Sequence, residues 1–165
     1  MSQVSAGLSG QARRYRVAFI CIKNSCRSQM AEAFARRYSE DIIEPFSTGP
    51  EPAVALDPGA VAVMKEVGID MSSQRPKLLP MNVLASMDLV VHVGCGSERC
   101  LVVPGVISEE WRLDDCAGAD RGKLRSIRTS VEREIKDLAE RLRSSGLAGV
   151  RPGPVTVKDF LLTSL

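Results

Sequence analysis

Cys21 and Arg27 stand six positions apart, and Ser28 follows directly. The apolar stretch Arg16-Val-Ala-Phe-Ile ends at Cys21, and from Ser28 onward Met30, Phe34 and Tyr38 recur at helical spacing. A short polar loop between a strand end and a helix start turns successive backbone N–H groups toward one point, which makes an anion nest. Cys21, Ile22, Lys23, Asn24, Ser25, Cys26, Arg27 and Ser28 are the residues of that loop. A tetrahedral oxyanion held there accepts the N–H groups, meets the positive end of the helix dipole, and takes a bidentate, charge-assisted contact from Arg27. The same surroundings favour the thiolate, the nucleophilic form of cysteine, and Ser28 can donate one more hydrogen bond to the sulfur. A cysteine and an arginine alone would read as a buried strand end and a surface helix residue. The order strand, Cys, five residues, Arg, Ser, helix has one evident physical use. Asn24 is expected to hold the loop by hydrogen bonding its backbone, and Cys26 to serve packing.

The remaining thiols suggest redox work. Five cysteines (Cys21, Cys26, Cys95, Cys100 and Cys116) are an odd set in a chain whose start has no basic head and apolar core of a secretory signal, which argues against a static disulfide framework. Zinc ranks low, because the cysteines lack short repeated spacings and the only histidine, His92, lies in an apolar run. A formal charge of +2 is too small to imply nucleic acid or an anionic membrane as partner, and no run of eighteen apolar residues occurs. The expectation is a cytoplasmic protein with no nucleic-acid and no membrane partner.

With 165 residues, 44% of them hydrophobic, the chain can bury one sizeable core. Arg16 to Cys21 reads as a buried strand, Ser28 to Tyr38 as a helix, and Ile42 to Ser47 as a second strand. Pro58 opens a helix that runs to Val67 and closes at Gly68. Asp88 to Val93 is the clearest buried strand, and a short fourth one is expected near Trp111 and Leu113. Leu124, Ile127, Val131, Ile135, Leu138 and Leu142 mark an amphipathic helix. Strands alternating with helices imply an α/β fold with a parallel sheet covered on both faces and ligands outside the carboxyl ends of the strands, where Cys21 and Cys95 fall. Residues 1–14 read as a flexible arm, 15–143 as the catalytic domain, and 144–165 as an extension whose first part is rich in Gly, Ser and Pro.

The stretch Cys21-Ile-Lys-Asn-Ser-Cys-Arg-Ser-Gln-Met-Ala-Glu-Ala-Phe34 strongly resembles the signature of thioredoxin-coupled arsenate reductases, which share their fold with low-molecular-weight tyrosine phosphatases. The resemblance runs through most of residues 16–143, with further matches at Ser47-Thr-Gly49, Asp57-Pro58, Val63 to Asp70, Asp88 to Val91, Glu110-Trp111 and Asp114-Asp115. It implies a four-stranded parallel sheet of flavodoxin-like topology, Cys21 as nucleophile and Arg27 as oxyanion binder. Arsenate is the implied substrate, with phosphate or sulfate as analogues. The acid that protonates the leaving oxygen is implied at Asp115, with Asp114 second; the proline that usually follows is Cys116 here.

Reduction of arsenate takes two electrons, so a partner thiol must attack the sulfur bound to arsenic. The resemblance implies a relay from Cys21 to Cys95 and then Cys100, emptied by an external reductant such as thioredoxin or glutaredoxin, with no bound cofactor. Glycines flank Cys95 and would let that segment move. If residues 95–100 were helical, the two cysteines would lie about 7.5 Å apart along the axis, beyond the roughly 6.8 Å that a disulfide tolerates. A conformational change on oxidation is therefore expected, and Cys116 is a rival resolving thiol. The resemblance also implies a site, used by some members of the family, in which Asn, Glu, Ser and a later Asp surround potassium near the nucleophile loop; Asn24, Glu32 and Ser47 match, but Lys77 occupies the Asp position. Its ammonium is expected in place of the cation, with no metal. His92 is expected in the core or supporting the site, and Trp111 in packing.

Two other functions compete. A phosphatase would use the same Cys21, Arg27 and Asp115, but such enzymes hold the substrate ring with aromatics at the pocket mouth. None of the four Phe, two Tyr and one Trp follows the acid loop directly. A non-catalytic oxyanion sensor would leave the acid and the spare thiols without a role.

Overall fold

The computed structural model describes residues 13–95 and 100–151. Four parallel strands, β1 (Tyr15–Ile20), β2 (Ile43–Thr48), β3 (Leu89–Val93) and β4 (Ile107–Trp111), form one sheet in the order β2-β1-β3-β4. Buried on both faces, the central strands read as continuous apolar runs, and the period of two sorts their side chains between two cores. Val17, Phe19, Leu89, Val91 and Val93 point to one face, while Ala18, Ile20 and Val90 point to the other.

The helices cover these faces unequally. On the first lie α1 (Arg27–Tyr38), α2 (Pro58–Lys65) and α4 (Arg121–Ser145). The second is closed by the single turn α3 (Met81–Leu84) and by Val103 and Val106 of the segment before β4. Asp57 caps α2 by accepting from the Gly59 and Ala60 N–H groups, with Pro58 in the first turn. This helix stops at Lys65, short of Val67, and a turn carries the chain to Gly68 at φ 81°. Asp120 caps α4 by accepting from Lys123 N–H, so that helix starts ahead of Leu124. All six apolar residues of its stripe are buried. Each contributes roughly 1.5–3 kcal/mol through removal from water.

Past residue 143, α4 continues to Ser145, and a 3-10 turn follows at Gly146–Gly149. Arg141 holds this turn by donating to the Gly149 carbonyl while pairing at 2.6 Å with Glu109, a β4 carboxylate that is only 1% exposed. Trp111 Nε1 donates to the same carboxylate, so the packing role expected of Trp111 comes with an anchor. Arg13, assigned to the flexible arm, pairs with Asp88. The apolar segment 155–165 and residues 1–12 lie outside the described residues. Among the described residues, no helix is long and apolar enough to cross a membrane.

Candidate active site

Residues 21–26 leave the carboxyl end of β1 and enter α1 at Arg27. The carbonyls of Ile22, Lys23 and Ser25 accept from the N–H groups of Glu51, Ala53 and Asp57, in a segment outside the loop. In a trans peptide the N–H points opposite to the carbonyl it follows. The N–H groups of Lys23, Asn24 and Cys26 are thereby turned the other way, away from that segment. Gly49 makes this tightness possible: a Cβ there would stand 2.5 Å from the Cys21 carbonyl oxygen and 2.6 Å from that of Ile22. The sequence marks Gly49 as a strand end and part of a matching motif, and does not show this contact. Asn24 takes a left-handed φ of 50°, and its side chain fixes the loop to its surroundings rather than to its own backbone. Its Nδ2 donates to Ser28 Oγ at 2.7 Å, and its Oδ1 accepts from Gln29 Nε2 and from Lys77 N–H, each at 2.9 Å. With Ser28 Oγ receiving that bond, its own hydrogen is free for Cys21 Sγ, 2.8 Å away.

Arg27 is 8% exposed. Its Nη1 donates to the Gly94 carbonyl at 2.9 Å, and its Nη2 lies 3.7 Å from Asp115 Oδ1. Gly94 has φ 78°, and a Cβ on it would collide with Arg27 Nη1. The guanidinium is thus clamped against the end of β3 and aimed into a cleft of about 390 Å³ lined by Cys21, Cys26, Arg27, Asp57, Asp115 and Cys116 among others. Asp115 is 72% exposed in its side chain and accepts from Ala117 N–H, so its carboxylate stands at the mouth of the cleft. Asp114 contributes a carbonyl near Arg27, and its side chain does not line the cleft.

Cys26 departs from the packing role expected of it: it is bonded to Cys116, with Cα atoms 6.6 Å apart. The pair ties the loop of residues 21–27 to the residue after Asp115, across a sequence separation of 90 that no local pattern reveals. Cys116 is thereby engaged away from Cys95. The second bond joins Cys95 to Cys100, with a Cα separation of 5.5 Å. That is shorter than a helical segment would allow, and neither end residue is helical. Cys95 is buried, and its sulfur rests 3.5 Å from the carbonyl of Ile20, the residue before Cys21. Cys100 is partly exposed. His92 belongs to this group: its Nδ1 lies 2.9 Å from Cys100 Sγ. In mass spectrometry of the oxidised protein digested without reduction, Cys26–Cys116 and Cys95–Cys100 peptides are expected; a Cys95–Cys116 peptide would overturn this pairing.

Two places invite the question of a metal. Lys77 Nζ donates to Ser47 Oγ at 3.2 Å and lies 3.8 Å from Glu32 Oε2, while Ser47 donates to that same oxygen. An ammonium therefore sits where the resemblance implies a potassium ion. Gln74 completes the surroundings by donating to Gln29 and Glu32, a contribution the sequence reading missed. Elsewhere, the ligand atoms of His92, Cys95 and Cys100 lie within 4.8 Å of one another. Sulfurs bonded to each other are not thiolate ligands, so a metal there would need the reduced pair.

The low molecular weight phosphotyrosine protein phosphatase family matches residues 16–147. The chain belongs to this family. Within the phosphatase family, several relatives carry another activity in their names. An arsenate reductase of Shouchella clausii is 39% identical over 132 residues, covering 75% of this chain and 94% of that protein. Among solved structures, an arsenate reductase in the phosphate binding state is 35% identical with a TM-score of 0.67, covering 77% of this chain and 98% of that one. A thioredoxin-dependent arsenate reductase of Corynebacterium glutamicum is 30% identical with a TM-score of 0.68, covering 85% of this chain and 67% of that one. The four-stranded parallel sheet expected from the sequence is the fold these structures share.

Proposed function

We propose that this protein is an arsenate reductase in which Cys21 attacks arsenate and the electrons leave through Cys95 and Cys100. One observation supports this reading above the rest: an anion cradle and a bonded cysteine pair converge at the ends of neighbouring strands, β1 and β3. Arsenate enters the nest with its oxygens on the loop N–H groups and Arg27. The Cys21 thiolate forms a bond to arsenic, and Asp115 supplies the proton with which an oxygen leaves as water. Cys95 thiolate then attacks Cys21 Sγ; the sulfur–arsenic electron pair departs with arsenic, which leaves as arsenite, reduced by two electrons. Cys100 displaces Cys21 from the Cys21–Cys95 disulfide, giving the Cys95–Cys100 bond seen in the structure.

Because neither relay cysteine lines the cleft, Cys95 must move to reach Cys21, and the left-handed Gly94 beside it is a hinge. Thioredoxin fits as the reductant, since its attack would fall on the partly exposed Cys100, and a cytoplasmic setting follows from the need for such a reductant. Lys77 serves the loop as a fixed cation. A phosphatase reading uses the same cradle but leaves the bonded pair idle.

The test is NADPH oxidation in the presence of arsenate, thioredoxin and its reductase. Wild type is expected to turn over, whereas Cys95→Ser and Cys100→Ser lose at least about tenfold to a hundredfold, Cys100→Ser stopping at a Cys21–Cys95 species. No arsenate-dependent oxidation together with brisk hydrolysis of an aryl phosphate would assign the protein to the phosphatases.

A further inference from the structure

We propose that His92 is a catalytic base of the thiol relay, taking the proton from Cys100 as that sulfur attacks the Cys21–Cys95 disulfide. The inference rests on the arsenate reductase reading, and its ground is geometric. Side chains alternate along β3, so His92 faces away from α1 and α4, on the side where Cys100 and Leu101 pack. There, in the Cys95–Cys100 disulfide that the exchange produces, its Nδ1 lies 2.9 Å from Cys100 Sγ and 4.0 Å from Cys95 Sγ. One ring nitrogen thus lies beside both sulfurs of the bond that the exchange makes, nearer to the one that attacked. Nothing in the arsenate-binding cradle requires a histidine at this place.

The ring is in a state to act. It is 8% exposed, and burial pulls its pKa below the ordinary histidine value, with Glu110 pulling the other way. Among the described residues, Glu110 faces it from the neighbouring strand β4, Cys95 and Cys100 lie at its tip, and Ile20 on β1 brings no charge. At neutral pH the imidazole is therefore uncharged. With its hydrogen on Nε2, Nδ1 is an acceptor.

The step balances without an outside electron donor. The Cys100 S–H proton passes to Nδ1, and the electron pair left on sulfur forms the bond to Cys95 Sγ. The Cys21–Cys95 bond breaks with its pair on Cys21, which returns to the N–H nest as thiolate. The proton leaves His92 for solvent. An ordinary thiol has a pKa of ~8.5, so about one in thirty is ionised at pH 7. A base on Cys100 is consequently worth at most about thirtyfold there and nothing once the thiol ionises by itself.

That ceiling sets the experiment. Reduced full-length protein is mixed with one equivalent of arsenate without thioredoxin, quenched in acid and alkylated, and the Cys21–Cys95 and Cys95–Cys100 forms are counted by mass spectrometry over time. In His92→Asn and His92→Gln, whose amides keep bulk and hydrogen bonding but cannot take a proton, Cys21–Cys95 forms at the wild-type rate. It then decays about tenfold more slowly at pH 7, and the difference closes above pH ~9. Equal decay in wild type and both variants at pH 7 would overturn the proposal. So would a slowing of the same size at pH 7 and pH 9.5, which is the mark of a structural role. Cys100→Ser separates the two levels of failure: if it too accumulates no Cys21–Cys95, the relay itself is wrong and the base falls with it.

Discussion

Cys21→Ser is expected to end arsenate reduction, with turnover falling on the order of 10⁴-fold or more, to the background of the assay. The loss is larger than weakened nucleophilicity alone would give. A serine oxygen in the nest could still approach arsenic, but it cannot form the disulfide through which the two electrons leave, so the cycle has no second step. Binding should survive. The loop is held by contacts that do not involve the Cys21 side chain: Asn24 to Lys77, and the carbonyls of Ile22, Lys23 and Ser25 to their outer partners. Sulfate affinity should therefore be retained. NADPH-coupled turnover and calorimetric titration with sulfate check both halves. A variant that keeps more than a few per cent of wild-type reduction would mean that another thiol attacks arsenate.

How much of this was legible beforehand follows from the range of the interactions. Local patterns carried far: the stripe from Leu124 to Leu142 is buried as read, and Pro58 opens α2 as read, although the Asp57 cap was not foreseen and the helix ends two residues early. The loop from Cys21 to Arg27 was equally plain as a structure, because strand end, helix start and arginine are all close in sequence. Features that needed distant partners were not. Gly49 is a glycine because the backbone of residues 21–24 presses on it, and nothing next to Gly49 announces that. Cys26 meets Cys116 only because the β4–α4 loop folds over the β1–α1 loop. A one-turn helix such as α3 is shorter than the window over which periodicity can be judged. In sequence His92 reads as core or as support for the site, and only the return of the chain at Cys100 shows which sulfurs its ring meets. Asp115 came from the family resemblance alone, since an exposed loop aspartate carries no local signal.

Arg27→Lys is the other large effect, an expected fall in kcat/KM for arsenate of about 10²- to 10³-fold, and its cause lies in how the guanidinium is held. One nitrogen, Nη1, is spent on the Gly94 carbonyl at 2.9 Å, which leaves the rest of the planar fork to face the cleft in a fixed direction. Lysine has the charge but a single nitrogen. Bound to the Gly94 carbonyl it would turn from the oxyanion, and bound to the oxyanion it would leave a carbonyl at the end of β3 unpaired. The thiol relay lies outside this conflict. Reduction of the Cys95–Cys100 bond by thioredoxin, followed directly on pre-oxidised protein, should therefore proceed at the wild-type rate in Arg27→Lys. If that rate fell along with arsenate turnover, Arg27 would be supporting the β3 end and its cysteines, and the cradle would owe less to the guanidinium than its geometry states. Gly94→Ala attacks the same clamp from the other side: its Cβ meets Arg27 Nη1 and its left-handed φ is strained. It should lower arsenate turnover as Arg27→Lys does, and in addition slow the movement of Cys95, so that only the glycine variant impairs both halves of the cycle.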